Sequence, residues 1–283
     1  MNRPRRPALL LAPLLLAAVV PVRAATLSAM DDSLPPPLPN PSPITDHFAF
    51  DAGFFWGRVS TFGQINPGKG APGTPLSGES DLGLTNQVYQ PRFELMIRLE
   101  QRGRLRVDFL DVRRNGEVQL ANSIQYGDQA FAAGQTLQST IDWRQMDITY
   151  TYSFLRGERY ELGAGLGVHL IEAQAIAQVP STPQRVDYSQ AGPFASAALD
   201  GTFLISSRWS LNARAQYLKL TVNSFTGLLE DYRADLQYRW RRNFAVGASY
   251  EHAEDEVVMR NHDPSGTVRL TFNGPQLFVR VSY

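Results

Sequence analysis

The sequence predicts an all-β chain: a single antiparallel barrel that crosses a membrane on about ten strands, with about eight or twelve as the alternative counts. Three observations carry this. From His47 onward one unit recurs, an alternating segment, a tight turn containing Arg, a second alternating segment and a longer polar loop, and period-two alternation marks a strand with two different faces. Several segments set an apolar face against a charged one, as a wall with lipid outside and a polar interior requires. After Val22 no apolar run approaches the length of a spanning helix, so a membrane crossing here must use a closed sheet in which every backbone N–H and C=O is paired.

The elements follow in order. Met1–Ala25 carries Arg3, Arg5 and Arg6, an apolar stretch from Ala8 to Val22, then Val22-Arg23-Ala24, the basic, apolar and cleavable order of a secretory signal peptide. Residues 26–45 form a Pro-rich periplasmic linker, and Asp31 to Asp46 holds Pro35, Pro36, Pro37, Pro39, Pro41 and Pro43, which forbid helix or ladder and predict an extended, solvated tether. The barrel is expected over 46–283.

Segment 47–62 sets Phe48, Phe50, Ala52, Phe54 and Trp56 against His47, Asp51, Phe55 and Gly57. Segment 88–101 sets Phe93, Leu95, Ile97 and Leu99 against Arg92, Glu94, Arg98 and Glu100, then turns at Gln101-Arg102-Gly103-Arg104 into 104–121. Segment 136–155 has Met146, Ile148, Tyr150, Tyr152 and Phe154 on one parity but Ile141 and Trp143 on the other, which predicts a bulge or a passage out of the bilayer. Segment 159–178 alternates Leu162, Ala164, Leu166, Val168 and Leu170 with Gly163, Gly165, Gly167 and His169; the glycines leave room for bulky lumen neighbours or for curvature. Further segments fall at 192–206, 209–223, 227–241, 243–258 and 267–283.

Short turns alternate with longer connections at 63–87, 114–135, 179–191, 223–226 and 259–266, which places both termini in the periplasm. Trp209, Tyr238, Trp240, Phe154, Tyr160, Phe244 and Tyr283 lie beside the short turns or the C-terminus, where an aromatic girdle belongs.

Parity directs one charged set inward: Arg92, Glu94, Arg98, Glu100, Arg106, Asp108, Asp147, Arg214, Asp231, Arg233, Asp235, Arg239, Glu251 and Arg280, joined by Glu161 and Asp200. Both signs occur in similar numbers, and buried charge needs partners, so the expectation is a salt-bridged plug. A pore lined by fixed charges is the alternative. His252 with Glu254, Asp255 and Glu256, and His262 beside Asp263, raise a rim-active hydrolase or a divalent-cation site of His252 and Glu254 with Asp255 or Glu256, but no Ser-His-acid spacing can be read from one sequence and the cation set lacks a second cluster. No catalytic residue, cofactor or metal is expected, and the chain is not read as an enzyme. It has no Cys, which removes disulfides and thiolate metal sites. Removal of the four leader arginines leaves a mildly acidic chain, which disfavours a nucleic-acid partner.

The last residues, Pro275 to Tyr283, alternate strictly, with Leu277, Val279, Val281 and the terminal Tyr283 on one side. This resembles the closing-strand signal by which outer-membrane barrels are recognised for insertion. With TYTYSF (Thr149 to Phe154) and LGAGLGVH (Leu162 to His169), the chain resembles the small uncharacterised outer-membrane β-barrels of Gram-negative bacteria. The resemblance implies an address in the outer membrane, with its lipid and lipopolysaccharide and the barrel-assembly machinery as partners, and no established activity. The expected role is a structural or interaction barrel that presents loops such as 63–87; a narrow channel for small solutes is the rival.

Overall fold

The computed structural model describes residues 41–67, 72–260 and 265–283. The predicted leader, the linker up to residue 40 and the His262–Asp263 pair lie outside them. The described strands are β1 (Phe48–Ile65), β2 (Leu76–Ser77), β3 (Gln87–Leu99), β4 (Gly103–Gln119), β5 (Ile124–Tyr126), β6 (Gln129–Phe131), β7 (Thr136–Arg156), β8 (Tyr160–Gln178), β9 (Arg185–Leu204), β10 (Trp209–Val222), β11 (Phe225–Arg241), β12 (Phe244–Met259) and β13 (Gly266–Ser282). Eleven belong to one antiparallel sheet, and β2 is only a two-residue flap on β1. Ten therefore form the wall, closed by β1 on β13 from Ala49↔Ser282 to Ile65↔Gly266. Closure leaves no edge in the lower wall for lipid to meet.

All ten predicted segments are strands, with two adjustments at the outer end. β4 runs on through part of the expected loop 114–135 and β9 begins at Arg185, inside the expected loop 179–191. Outside the wall, β5 and β6 form a small hairpin of their own. Its residues join Leu76, Leu120, Leu137, Val179 and Val186 in a hydrophobic cluster, so the outer loops fold into a cap with its own apolar centre.

Pleat parity settles the faces. In the lower part Phe50, Phe93, Phe109, Ile148, Leu166, Leu199, Leu211, Val246 and Val279 point outward and are exposed, forming the lipid-facing band. The predicted girdle residues Phe154, Tyr160, Trp209, Trp240, Phe244 and Tyr283 are exposed below it, with Trp209 and Tyr238 in ring contact at 5.0 Å. A second ring of exposed tyrosines, Tyr89, Tyr217, Tyr232 and Tyr250, lies above the band. Leu277, Val279, Val281 and Tyr283 all face outward, as the insertion signal needs.

Above that second ring the polarity reverses. β7 pairs with β4 in unbroken register from Gly103↔Tyr152 to Gln119↔Thr136, so the parity change at Ile141 and Trp143 is not a bulge. The strand has left the bilayer: its inward side becomes apolar and its outward side polar. Outward ion pairs such as Arg113–Asp142 and Arg144–Asp111 decorate this upper wall.

Two further features close or open the wall. At the lower mouth Ser42–Asp46 forms a turn, with backbone N–H groups of Thr45 and Asp46 donating to Ser42 O at 2.9 Å, and Pro43, Ile44 and Asp46 are buried. The last residues of the Pro-rich stretch are thus a latch in the barrel mouth and not a solvated tether. At the upper wall β10 pairs with β9 only from Ser210↔Leu204 to Tyr217↔Ala197. Beyond that level Arg185–Ser196 pair with β8 alone and Leu218–Val222 with β11 alone, leaving a seam, and a second seam opens above Phe93↔Phe109, where β3 pairs with β1 alone and β4 with β7 alone.

Candidate functional site

The lumen is the candidate site, and three layers fill it. The lowest is ionic. Arg98 donates to both oxygens of Glu161, at 2.7 and 3.0 Å, and its other N–H groups reach Asp46 O and Pro43 O. Arg239 donates to Asp46 at 2.5 Å and Arg156 to Ile44 O at 2.8 Å, so arginines from three strands hold the latch. Above them Arg104 and Arg106 share Asp200, at 2.7 and 2.5 Å. Arg280 holds Asp51 in a two-point contact. Glu94 accepts from Arg214 at 2.6 Å and Arg233 at 3.4 Å, and Arg92 joins Asp108 at 2.9 Å to Glu251.

Of the sixteen charged residues expected in the lumen, fifteen face it, Glu161 and Asp200 among them, both buried. Arg92, Glu94, Arg98, Asp108, Asp147, Arg233, Asp235, Arg239, Glu251 and Arg280 are buried, while Arg106, Arg214 and Asp231 are half-buried. Glu100 is the exception. It is exposed in the β3–β4 turn with φ of 54°, because the chain has already left the pleat when it reaches that position. Arg104, read from sequence as a turn residue, is instead an inward strand residue only 1% exposed. Its signal was its parity with Arg106 and Asp108.

The glycines of β8 serve both of the roles read for them. A Cβ at Gly163 would collide with Asp200 and Arg104, and one at Gly165 with the backbone of Tyr150. Side chains at these positions would break the ionic layer or the curvature of the wall.

The second layer is polar and centred on His169, which is fully buried. Its Nδ1 lies 2.6 Å from Asp147 Oδ1, and its Nε2 lies 3.1 Å from Ser196 Oγ and 3.0 Å from Gln216 Oε1. The connectivity Asp147–His169–Ser196 is that of an acyl-transfer triad, which no linear spacing could reveal. Its surroundings are those of a structural cluster. Ser196 is 2% exposed, and Gln216 Oε1 lies 2.8 Å from its Oγ, filling the space beside both nucleophile and base where a reacting carbonyl would sit. A Cβ at Gly167 would stand 2.6 Å from both Ser196 Oγ and Gln216 Oε1. A triad that no substrate atom can reach is a hydrogen-bonded lock.

The third layer is apolar: Phe55, Val59, Val88, Leu110, Val112, Trp143, Ile171, Leu270 and Phe272. Trp143 of β7 and Phe272 of β13 meet across the lumen with centroids 6.4 Å apart. Phe194 leans from β9 towards β11, and a Cβ at Gly227 would come within 3.3 Å of its ring. Above the layer Arg114, 2% exposed, ties the first outer loop inward through Glu79 at 2.7 Å and bonds Thr61 of β1.

The rim cluster raised by the sequence is divided by the pleat. His252 points outward, stacked on Tyr232 at 6.4 Å, and Glu254 and Glu256 point outward to Arg269. Asp255 points inward and is buried. Among the described residues no group of three or more His, Asp or Glu side chains is placed to hold a metal ion.

No protein-family model matches the chain, and no curated protein is similar to it in sequence. Among solved structures, the outer membrane protease OmpT from Escherichia coli is similar with a TM-score of 0.52 at 9% identity, over 83% of this chain and 97% of that one. The translocator domain of autotransporter NalP from Neisseria meningitidis gives 0.41 at 9% identity, over 84% and 88%. Neisserial surface protein A gives 0.30 at 13%, over 84% and 97%. The first likeness is one of fold, and the fold is that of an outer-membrane β-barrel.

Proposed function

We propose that this protein is an integral outer-membrane barrel, exported behind a cleaved signal peptide, whose lumen is sealed and whose folded outer cap is the working surface. The apolar layer bridged by Trp143 and Phe272 carries the reading. An ionic network alone can be hydrated and conduct, whereas a packed apolar constriction excludes water and ions. The latch beneath and the cap above support the same view, since neither would be needed by a wide pore. Lipopolysaccharide surrounds the upper wall, and the cap offers itself to a neighbouring protein or an external surface. The barrel-assembly machinery reads the Leu277, Val279, Val281 and Tyr283 face during insertion.

Planar-bilayer recording of refolded protein tests the seal. Folded barrel without reproducible conductance steps is the expected result. Ohmic steps from the intact protein would replace this reading with its rival, a narrow channel for small solutes.

A further inference from the structure

One flank of the lower rim is cationic and not neutralised by the protein. On the upper wall most outward arginines have a carboxylate partner, as Arg113, Arg144, Arg185 and Arg269 do. At the β9–β10 and β11–β12 turns Arg208, Arg241 and Arg242 are exposed, and none of them has an ion pair among the described residues. The sequence supplies no partner nearby: residues 201–229 and 236–250 contain no Asp or Glu. The flanking Asp200, Asp235 and Glu251 are buried in the lumen and paired there with Arg104, Arg233 and Arg92. Tyr283 O accepts the backbone N–H groups of His47 and Phe48 at 2.7 and 2.9 Å, and counting a carboxylate there still leaves three cations to one anion.

Two of these guanidiniums are held on girdle rings. Arg208 Nη1 donates to Tyr238 Oη at 3.1 Å, and Tyr238 packs on Trp209 at 5.0 Å. Arg241 Cζ lies 5.2 Å from the centroid of the Trp240 ring. Tyr238 and Trp240 stand two residues apart on β11 and so share its outward face, where Trp240 is 64% exposed and Trp209 42%. Rings of this kind sit where hydrocarbon meets water, which sets the arginines at the height of lipid headgroups. A guanidinium has five N–H groups and accepts nothing; Arg208 uses one of them on Tyr238, and the planar fork that remains suits a phosphate oxyanion. A zwitterionic headgroup would bring its own ammonium to a flank already cationic, whereas an anionic phosphodiester would not. A soluble anion would meet the arginines but leave the rings unused.

We propose that this flank binds the headgroups of anionic glycerophospholipids in the periplasmic leaflet, with phosphodiesters on Arg208 and Arg241 and acyl chains against Trp209 and Trp240. The site is independent of whether the lumen conducts. Its own tryptophans report on it: Trp143 is buried, and Trp56→Phe removes the remaining one of the four. The refolded full-length barrel carrying that change is placed in phosphatidylcholine vesicles, and quenching by brominated phosphatidylglycerol is compared with quenching by brominated phosphatidylcholine. Phosphatidylglycerol should be preferred by about fivefold for each of the two arginines at low salt, the equivalent of about 1 kcal/mol per cation at an anionic surface. Arg208→Gln and Arg241→Gln should each lower the preference about fivefold, while Arg102→Gln, the same loss of charge at the β3–β4 turn, should leave it unchanged. No preference in the parent protein, an undiminished one in both variants, or an equal fall in Arg102→Gln would overturn the proposal. Abolition of the preference by inorganic phosphate would overturn it too, by making the ligand a soluble anion.

Discussion

Below the level of Tyr89, Tyr217 and Tyr250 the wall is apolar outside and charged inside; above it, ion pairs such as Arg144–Glu172 and Arg185–Asp187 lie outside and Phe55, Trp143 and Phe272 inside. The same strands build both regions with the same pleat, and the β4–β7 and β7–β8 ladders cross the boundary without a register shift there. What changes is the solvent on the outer face. In hydrocarbon the polar side chains have only the lumen to turn to; in water the hydrophobic effect reasserts itself and the strand interior fills with apolar side chains as in a soluble protein. The barrel is thus a membrane protein that becomes a water-soluble one partway along each strand.

The comparison can be broken most severely from the charged side. Glu161 is fully buried, accepts from Arg98 and Ser153 and lies 3.3 Å from Arg104. Glu161→Ala leaves arginines buried without a counter-charge and should cost ~3–5 kcal/mol of folding stability in urea. In the upper half the equivalent injury is apolar: Trp143→Ala should cost ~3–5 kcal/mol through lost transfer energy and the cavity left behind. If Trp143→Ala instead costs nothing while Glu161→Ala is severe, the apolar layer is not packed as described.

The outer faces sharpen the contrast. Leu166, 72% exposed on β8, faces the lipid band, and Leu166→Arg should cost ~2–4 kcal/mol in vesicles. Gln174→Arg, on the same face of the same strand but in the polar zone beside Asp187, should stay within ~0.5 kcal/mol. Equal penalties would move the water boundary. The smallest effect is in the cap. Burial, and then the neighbouring Tyr188, pushes the Tyr126 phenol up to about 12. The unfolded chain releases this proton near pH 10 and the folded cap holds it until about pH 12. Stability contributed by the cap should therefore be intact below pH 10 and decline between the two values, visible as faster hydrogen exchange in β5 and β6.

Much of the wall was legible in the sequence because alternation depends only on which side is wet. Asp51, Arg92, Glu94 and Arg280 fell into place from parity alone. Three things were less accessible. Glu100 and Arg104 flank a turn, where one residue of slip decides between lumen and solvent. The reversal at Trp143 looks in sequence like a register fault, because parity is silent about which solvent lies outside. The His169 cluster draws on β7, β8, β9 and β10, and only the register that sets Gly167 opposite Ser196 brings its members together.

The seam between β9 and β10 has a consequence for depth. Backbone groups without a ladder partner are tolerable in water and prohibitive in hydrocarbon. The last shared rung, Ala197↔Tyr217, therefore acts as a waterline: the acyl chains of the outer leaflet must end at or near it, however thick the surrounding membrane. β3 and β4 likewise share rungs only from Leu99↔Gly103 up to Phe93↔Phe109, so a second seam sets the same kind of limit on another flank, and a thicker bilayer would have to thin locally at both.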